Sequence, residues 1–324
     1  MSKENLIIIG LNYPSIKSIF GDMTEGTLIT RGYSKKKKKH FHRIYRNHED
    51  LGDYIGSYSY PNTLSNSLVI RWGSREEFKF SNSTVLNKSR AIAGAGSKAW
   101  ARDAMFGKGI AIPKKITPAN YKKGSKIIVR PHQHSKGKDF IVIDNYQDLH
   151  KHYNPTKYYY SEFIDKEREF RVHCAHGKVL CVMEKPRPKD TNMLAWNLGK
   201  EPFEYVEWSK VNRTCIALAL AAIKVLGLDF GGVDIIYKKG VYYVLEVNTS
   251  PATCPYVANR YARYFDWVYR CTSKSGEIPK HWEFDSFKKG SSMIWKNVQL
   301  DSEDDTIIKK GSRDEETEVS FTNH

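Results

Sequence analysis

At 324 residues the chain is long enough for a sizeable core and two or three packed units. Its hydrophobic content of 40 % suits a globular protein. No segment approaches the ~18 uncharged apolar residues that a membrane span needs, and the most apolar stretch, 214–228, is broken by Lys224. The net charge of +16 hides an asymmetry: residues 299–324 carry eight acidic and three basic side chains, a net of −5, which leaves +21 on residues 1–298. Such a body implies an anionic partner, whether a nucleotide, an acidic acceptor or nucleic acid, and charge alone does not choose among them.

The N-terminus reads Met-Ser-Lys-Glu-Asn and then a brief Leu-Ile-Ile-Ile, without the apolar core and cleavage site of a signal peptide, so a cytoplasmic protein is expected. Cys174, Cys181, Cys215, Cys254 and Cys271 are odd in number and contain no C-x-x-C pair. Neither a disulfide framework nor a zinc site is suggested, and reduced, largely buried thiols are expected.

In chain order, the apolar runs 6–9, 27–30 and 67–71, separated by Gly, Pro, Asn and Ser, read as strands of a small α/β unit. Inside it, Lys35 to Lys39 continues through His40, His42, Arg43 and Arg46 as a basic loop, either simply solvated or facing a phosphate-rich or carboxylate-rich partner. Residues 87–116 turn helical, with Ala91, Ile92, Ala95, Trp100, Ala104 and Met105 at helical spacing and Ser97 placed as an N-cap. The central third alternates strands and turns at 126–130, 140–143, 157–164, 168–175 and 178–185. This pattern favours an antiparallel sheet with one solvated face. Residues 209–226 and 256–270 read as amphipathic helices, and the acidic, Ser/Thr-rich tail from about Asp301 reads as disordered.

Several polar groups stand out against this background. Residues 127–140, IIVRPHQHSKGKDF, form a strand and a loop in which Gly137 sits between Lys136 and Lys138. A glycine tip lets backbone N–H groups approach phosphate oxygens, although basic loops around a glycine are common. Zinc at His132 and His134 is a poor second reading. In 166–173, Glu169, Arg171 and His173 share a strand face. The most informative stretch is 228–253: Asp-Ile-Ile-Tyr, a Lys-Lys-Gly turn, then Val-Tyr-Tyr-Val-Leu-Glu-Val-Asn. This reads as a hairpin with Glu246 and Asn248 on one face and Asp234 across from them. Two carboxylates and an amide oxygen within so apolar a run make a hard-ligand set suited to Mg²⁺, and hence to a nucleotide.

At Gly232-Val233-Asp234 and at Glu246-Val247-Asn248-x-x-Pro251 the chain resembles the ATP-grasp superfamily, in particular the branch of ribosomal-protein glutamate ligases and related viral and bacterial carboxylate–amine ligases. The resemblance runs from about Ser67 to Asp266. Ala252 stands where the branch usually has Gly, and Arg130 where the wider family usually has Lys.

The resemblance implies a three-part α/β architecture with ATP between two α+β lobes. Residues 1–86 would form a pre-ATP-grasp unit, with the basic loop 35–46, closed by Arg71-Trp72-Gly73-Ser74. Residues 87–298 would form the nucleotide-binding and catalytic lobes, and 299–324 the tail. By the same resemblance Asp234, Glu246 and Asn248 would ligate Mg²⁺, with Mn²⁺ as a substitute. Lys98, Arg130, Lys136, Gly137 and Lys138 would meet phosphates. Glu162, Phe163 and Ile164 would form the adenine-reading hinge, although Glu162 also reads as an ordinary exposed strand residue. Glu169 would meet the ribose or hold Arg171, and Arg171, Lys185, Arg187 and Asn197 would serve the transferring phosphoryl group. The activity implied is ATP-dependent amide formation through an acylphosphate, on an anionic or macromolecular acceptor, in the host cytoplasm if the source is viral. Two alternatives stay open: a kinase of the same fold acting on a non-carboxylate acceptor, and a basic nucleic-acid-binding protein with a regulatory nucleotide site.

Overall fold

The computed structural model describes residues 5–11, 14–23, 26–34, 39–45, 63–76, 78–132, 141–188, 196 and 202–275. Lys35 to Lys38, Lys136, Gly137, Lys138, Asn197 and the acidic tail lie outside these described residues.

The chain begins with β1 (Asn5–Leu11), α1 (Pro14–Gly21), β2 (Thr27–Ser34), β3 (Lys39–Tyr45), β4 (Thr63–Ser65), β5 (Ser67–Trp72), β6 (Lys79–Ser81) and β7 (Thr84–Leu86). Five of these strands form one sheet in the order β3-β2-β1-β5-β7, with β1 parallel to both β2 and β5. Parallel strands are covered on both faces, and β5, between its parallel neighbours β1 and β7, has all six residues buried, Leu68, Val69, Ile70 and Trp72 together with Ser67 and Arg71. One face packs Ile16, Ile19 and Phe20 of α1, and the other packs Leu64 and Phe80. Residues 39–45, read from the sequence as part of a basic loop, instead form β3, paired antiparallel with β2 from Ser34↔Lys39 to Leu28↔Tyr45. The aromatic and branched residues of His-Phe-His-Arg-Ile-Tyr favour a strand despite the flanking charge.

Next come α2 (Ser89–Gly96) and α3 (Lys98–Gly107), then β8 (Ile127–Pro131), β9 (Ile141–Ile143), α4 (Tyr146–His152) and β10 (Tyr158–Glu162). Ser97 stands at the N-cap of α3 as expected, although its side chain makes no capping hydrogen bond. The small antiparallel sheet β10-β8-β9 closes over its own core of Ile127, Val129, Ile143, Leu149 and Tyr160. The helix α4 was not legible in the sequence; it is capped by the Asn145 side chain, which accepts from the Asp148 amide at 2.8 Å.

The remaining elements are β11 (Arg168–Ala175), β12 (Lys178–Lys185), β13 (Glu204–Val206), α5 (Arg213–Val225), β14 (Phe230–Lys238), β15 (Val241–Asn248) and α6 (Pro255–Ser275). The strands form an antiparallel sheet in the order β13-β12-β11-β14-β15. The expectation of one solvated face does not hold here. Phe170, Val172, Val182, Val233 and Ile235 point one way and pack on α5. On the other face Cys181, Met183 and Phe230 pack on α6, while Glu169, Arg171, Lys185 and Asp234 share the alternate register and are buried or half-buried. Alternation in the sequence therefore marks a divided inner face rather than water. Of the cysteines, Cys174, Cys181 and Cys215 are buried, Cys271 is half-buried and Cys254 is exposed.

Trp72 ties the two large sheets together. It is fully buried at the end of β5, stacks on Phe230 at 5.7 Å and meets Tyr261 of α6 edge-on at 4.9 Å. Truncation to Trp72→Ala should cost about 3–5 kcal/mol. Urea unfolding followed by circular dichroism would test this, and the transition should remain single because the N-terminal sheet and α6 share this core.

Candidate active site

The site is built on the β14–β15 hairpin. Its two-residue turn uses Lys239 at φ 46° and Gly240 at φ 82°, the left-handed pair that matches strand twist in tight hairpins. That turn fixes the register, so Asp234 lies opposite Glu246 and Gly232 opposite Asn248. A bulge interrupts the ladder, with Ile235 pairing Val244 so that Leu245 is the extra residue. On the other side β11 places Arg171 directly across from Asp234 and His173 across from Gly232.

Period-two geometry then brings the polar groups to one spot. Arg171 donates to Asp234 in bidentate fashion, Nε to Oδ1 at 2.6 Å and Nη2 to Oδ2 at 2.9 Å. Asn248 Nδ2 donates to Asp234 Oδ2 at 3.2 Å, which turns the Asn248 amide oxygen away from that carboxylate as an acceptor. Lys98, at the start of α3, donates to Glu246 Oε2 at 2.6 Å. Burial pushes the Asp234 carboxyl up and Arg171 opposes it. Burial acts the same way on Glu246, but Lys98, Arg171 and Arg130 outweigh it and hold Glu246 below the usual carboxylate range.

Glycines make the approach possible. A Cβ on Gly232 would stand 2.9 Å from Pro251 Cβ, and one on Gly231 would stand 3.0 Å from the Asn248 carbonyl, so the segment after β15 crosses directly over β14.

Around this cluster the predicted residues fall as follows. Glu169 lies opposite Lys185 on β12. Its carboxylate pairs with Lys166 at 2.5 Å, so Arg171 is held by Asp234 rather than by Glu169 as the sequence suggested. Lys185 is buried, whereas Arg187 is exposed just beyond β12. The Glu162 carboxylate accepts from the Lys114 amide at 2.8 Å. The Glu162 and Phe163 amides donate to the Lys114 and Lys126 carbonyls, both at 2.9 Å. Glu162 thus bonds within the fold through its amide and one carboxylate oxygen, and the segment 161–164 lines the cleft described next. His132 Nε2 meets the Pro155 carbonyl at 2.9 Å, an ordinary loop contact.

A shallow cleft with a volume of about 40 Å³ opens between the small sheet and the large one, lined by Arg102, Pro113, Ile128, Arg130, the segment 161–164, Lys166, Ile236 and Leu245. Its apolar walls fit a planar base, and Arg130 marks the route from there to the carboxylates: its guanidinium is lowered by burial and raised by Glu246.

Three contributors were not singled out in the sequence. Phe203 lays its ring against Arg171 at 4.7 Å and Lys185 at 5.4 Å. Lys166 packs over Trp196 at 4.9 Å. Arg102 lines the cleft from α3, and its only signal was the four-residue spacing from Lys98, which puts both on one helix face. Among the described residues no three His, Cys, Asp or Glu side chains cluster as a metal site. The donor set is two carboxylates and an amide, both carboxylates already neutralised by a cation. Oxygen donors that attract positive charge in this way fit Mg²⁺.

Residues 114–259 match a family model described as the RimK-like ATP-grasp domain. No curated protein matches the chain. Among solved structures it is similar to the ATP-grasp ligase PsnB complexed with minimal precursor, at 14 % identity and a TM-score of 0.54, covering 81 % of this chain and 98 % of that one. It is also similar to D-alanine–D-alanine ligase from Bacillus anthracis, at 15 % identity and a TM-score of 0.51, covering 84 % and 99 %. A Chryseobacterium gregarium RiPP-associated ATP-grasp ligase, solved with ADP and a leader and core peptide, matches at 12 % identity and a TM-score of 0.51, covering 81 % and 96 %. The fold is that of the ATP-grasp enzymes.

Behind Arg171, His173 is fully buried against Tyr261 Oη at 3.2 Å, and burial together with the Arg171 charge pushes it down to about 3. Unfolding frees this imidazole to take a proton, so its contribution is complete above the ordinary histidine range and is lost as pH falls from about 6.5 towards 3. Relative to pH 7.5, the loss specific to His173 should reach about 2 kcal/mol at pH 5. Denaturant titrations of wild type and His173→Gln at both pH values should show the wild type losing more by that amount.

Proposed function

We propose that this chain, which carries a RimK-like ATP-grasp domain, is an ATP-dependent carboxylate–amine ligase acting on a macromolecular acceptor. The observation that carries the reading is the cross-strand cluster of Asp234, Glu246, Asn248 and Arg171 at the end of an apolar cleft edged by Ile164. The base would lie against Ile128, Ile236 and Leu245. Arg130 and Lys98 would meet phosphate oxygens, and Asp234, Glu246 and Asn248 would hold Mg²⁺. Bound there, Mg²⁺ would neutralise charge on the phosphates.

In the reaction, a carboxylate oxygen attacks the γ-phosphorus, the bond to the β-phosphate oxygen breaks, and ADP leaves. An amine then attacks the acyl carbon, phosphate departs, and the amine loses a proton. Arg171 and Lys185 would balance the charge of the transferring group, and Phe203, packed on both cations, would fix their heads. Positioning and charge supply the catalysis, so the scheme requires no nucleophilic Ser or Cys.

The solved ligases with bound precursor, leader and core peptides support a peptide or protein acceptor. The charge of +21 on residues 1–298 favours an anionic one. Incubation with ATP, Mg²⁺, amino acids and cell lysate, read by mass spectrometry, should show acceptors gaining an amino-acid residue while ADP accumulates. A gain of phosphate without amide would make the enzyme a kinase.

The carboxylates should separate catalysis from folding. Glu246→Gln and Asp234→Asn should each lower kcat by about a hundredfold or more. Their stabilities should differ. Glu246 is paired near solvent, and its replacement should change stability by less than about 1 kcal/mol. Asp234 neutralises a buried guanidinium, and its loss should cost about 3–5 kcal/mol. Steady-state rates and urea midpoints measured on the same preparations would check both. In addition, Arg130→Lys should retain part of the activity while Arg130→Ala raises the KM for ATP, and equal kinetics in all three forms would remove Arg130 from the site.

A further inference from the structure

Arg102 has no part in the scheme above, yet it is a guanidinium only 4 % exposed in the wall of the cleft. Burying a cation is costly unless it is paired, and among the described residues it forms no ion pair with a carboxylate. Its partners are carbonyl oxygens: Nη1 donates to Leu245 O at 3.2 Å and Nη2 to Pro113 O at 2.9 Å. Its flat face lies 4.7 Å from the centre of the Tyr159 ring on β10.

These two carbonyls need a donor for identifiable reasons. Along its outer edge β15 bonds to the segment that follows α3, with the Val244 amide donating to the Ala111 carbonyl at 2.9 Å. Of that pairing this is the bond formed at Val244. Leu245 is the extra residue of the bulge, so its carbonyl falls out of step with the β14 ladder. Pro113 has no N–H with which to continue the pairing. A planar fork with several donors can satisfy both oxygens at once, which a lysine ammonium cannot do with the same geometry.

We propose that Arg102 is a positioning residue for the metal carboxylate Glu246. By holding the Leu245 carbonyl it fixes the bulge that sets Glu246 opposite Asp234. Through Pro113 and Tyr159 it ties that bulge to the opposite wall of the cleft. The proposal rests on the nucleotide and metal reading of the site and adds a residue that hydrogen-bonds to none of the three proposed metal ligands. Its effect should fall on the metal more than on the base, because Glu246 directly follows the residue it grips, whereas Ile128 and Ile236 of the base wall are not bonded to Arg102 and Leu245 is held through its carbonyl rather than its apolar side chain.

The test uses the full chain, Mn²⁺ as the metal probe and a non-hydrolysable ATP analogue. Free Mn²⁺ is followed by electron paramagnetic resonance with the analogue saturating, and analogue binding in EDTA is followed separately by calorimetry. Arg102→Met keeps the apolar stem and should raise the Kd for Mn²⁺ about tenfold or more, while the metal-free affinity for the analogue changes less than about threefold. Arg102→Lys should fall between wild type and Arg102→Met. An Mn²⁺ Kd within about twofold of wild type in a folded variant would overturn the proposal, as would equal weakening of both titrations, which would mark Arg102 as a general strut. Should Arg102→Met fail to fold, the same comparison is read on Arg102→Lys, where a metal-selective loss of about threefold or more is expected. Wild type that binds neither probe would instead remove the nucleotide and metal reading itself, an outcome separate from a normal wild type with an unaffected variant.

Discussion

The register of the β14–β15 hairpin is the constraint on which the site depends. Side chains alternate faces along a strand, so a slip of one residue would turn Asp234 into the apolar face packed on α5 and bring Val233 or Ile235 into the cleft. Two local devices prevent the slip. At one end, the Lys239-Gly240 turn admits only the pairing that starts at Lys238↔Val241. At the other, Gly231 and Gly232 leave room for the segment from Asn248 to Pro251 to cross, and any side chain there would push it off. Between them the bulge at Leu245 adjusts where Glu246 stands without moving Asn248 from the same face.

With the strands fixed, electrostatics decides what the cleft accepts. Each inward carboxylate has a cation: Arg171 on Asp234, Lys98 on Glu246, Lys166 on Glu169. Arg102 and Arg130 add positive charge without a carboxylate partner among the described residues, and burial lowers both guanidinium pKa values, as expected when desolvation opposes the charged form. The inward face therefore has a surplus of cations close to Asp234 and Glu246, the two carboxylates proposed to hold a metal ion. A polyphosphate with its divalent ion matches both features together: the anion meets the surplus, and the ion meets the carboxylates. A neutral ligand would meet neither, and a bare anion would leave the carboxylates on their lysine and arginine. This complementarity explains why ion pairs costly to bury stand here rather than apolar packing of similar volume.

Much of this was legible in the sequence because it rests on short-range periodicity. The hairpin, the shared face of Glu246 and Asn248, Asp234 across from them, the alternation of Glu169, Arg171 and His173, and the two helices before Gly109 all follow from spacing and turn chemistry. What sequence could not give is which partner each charge takes. Glu169 lies two residues from Arg171 on one strand, yet the arginine turns to Asp234, sixty-three positions away, because β11 and β14 put them directly opposite. The bulge at Leu245 was likewise invisible, since an extra residue leaves no mark on composition, and without it Arg102 looks like any helix-surface arginine. Phe203 carried no signal because its role is to cover two cations brought from different strands. The short helices α1 and α4 were missed because one turn or two of helix is set by tertiary packing and caps rather than by pattern.

The N-terminal sheet reaches the same site from behind. Gly73, at φ +71° just past β5, lies so close to Ser250 that a Cβ there would stand 2.6 Å from its hydroxyl oxygen. One residue earlier, Trp72 is locked between Phe230 and Tyr261. The end of β5 therefore meets both the strand that carries Asp234 and the segment that follows Asn248. Asn87 adds a second tie, its amide donating to Asp229 Oδ2 at 2.5 Å and its side-chain oxygen accepting from the Asp229 amide at 2.8 Å, at the entry to β14. A shift of the N-terminal sheet would be transmitted to β14 and the Ser250 segment through packed groups, because close-packed interiors deform little before they rearrange. Whatever binds the N-terminal sheet thus has a short mechanical route to the strand of Asp234 and the segment after Asn248, through Gly73 and Ser250 on one side and through Trp72 and Phe230 on the other.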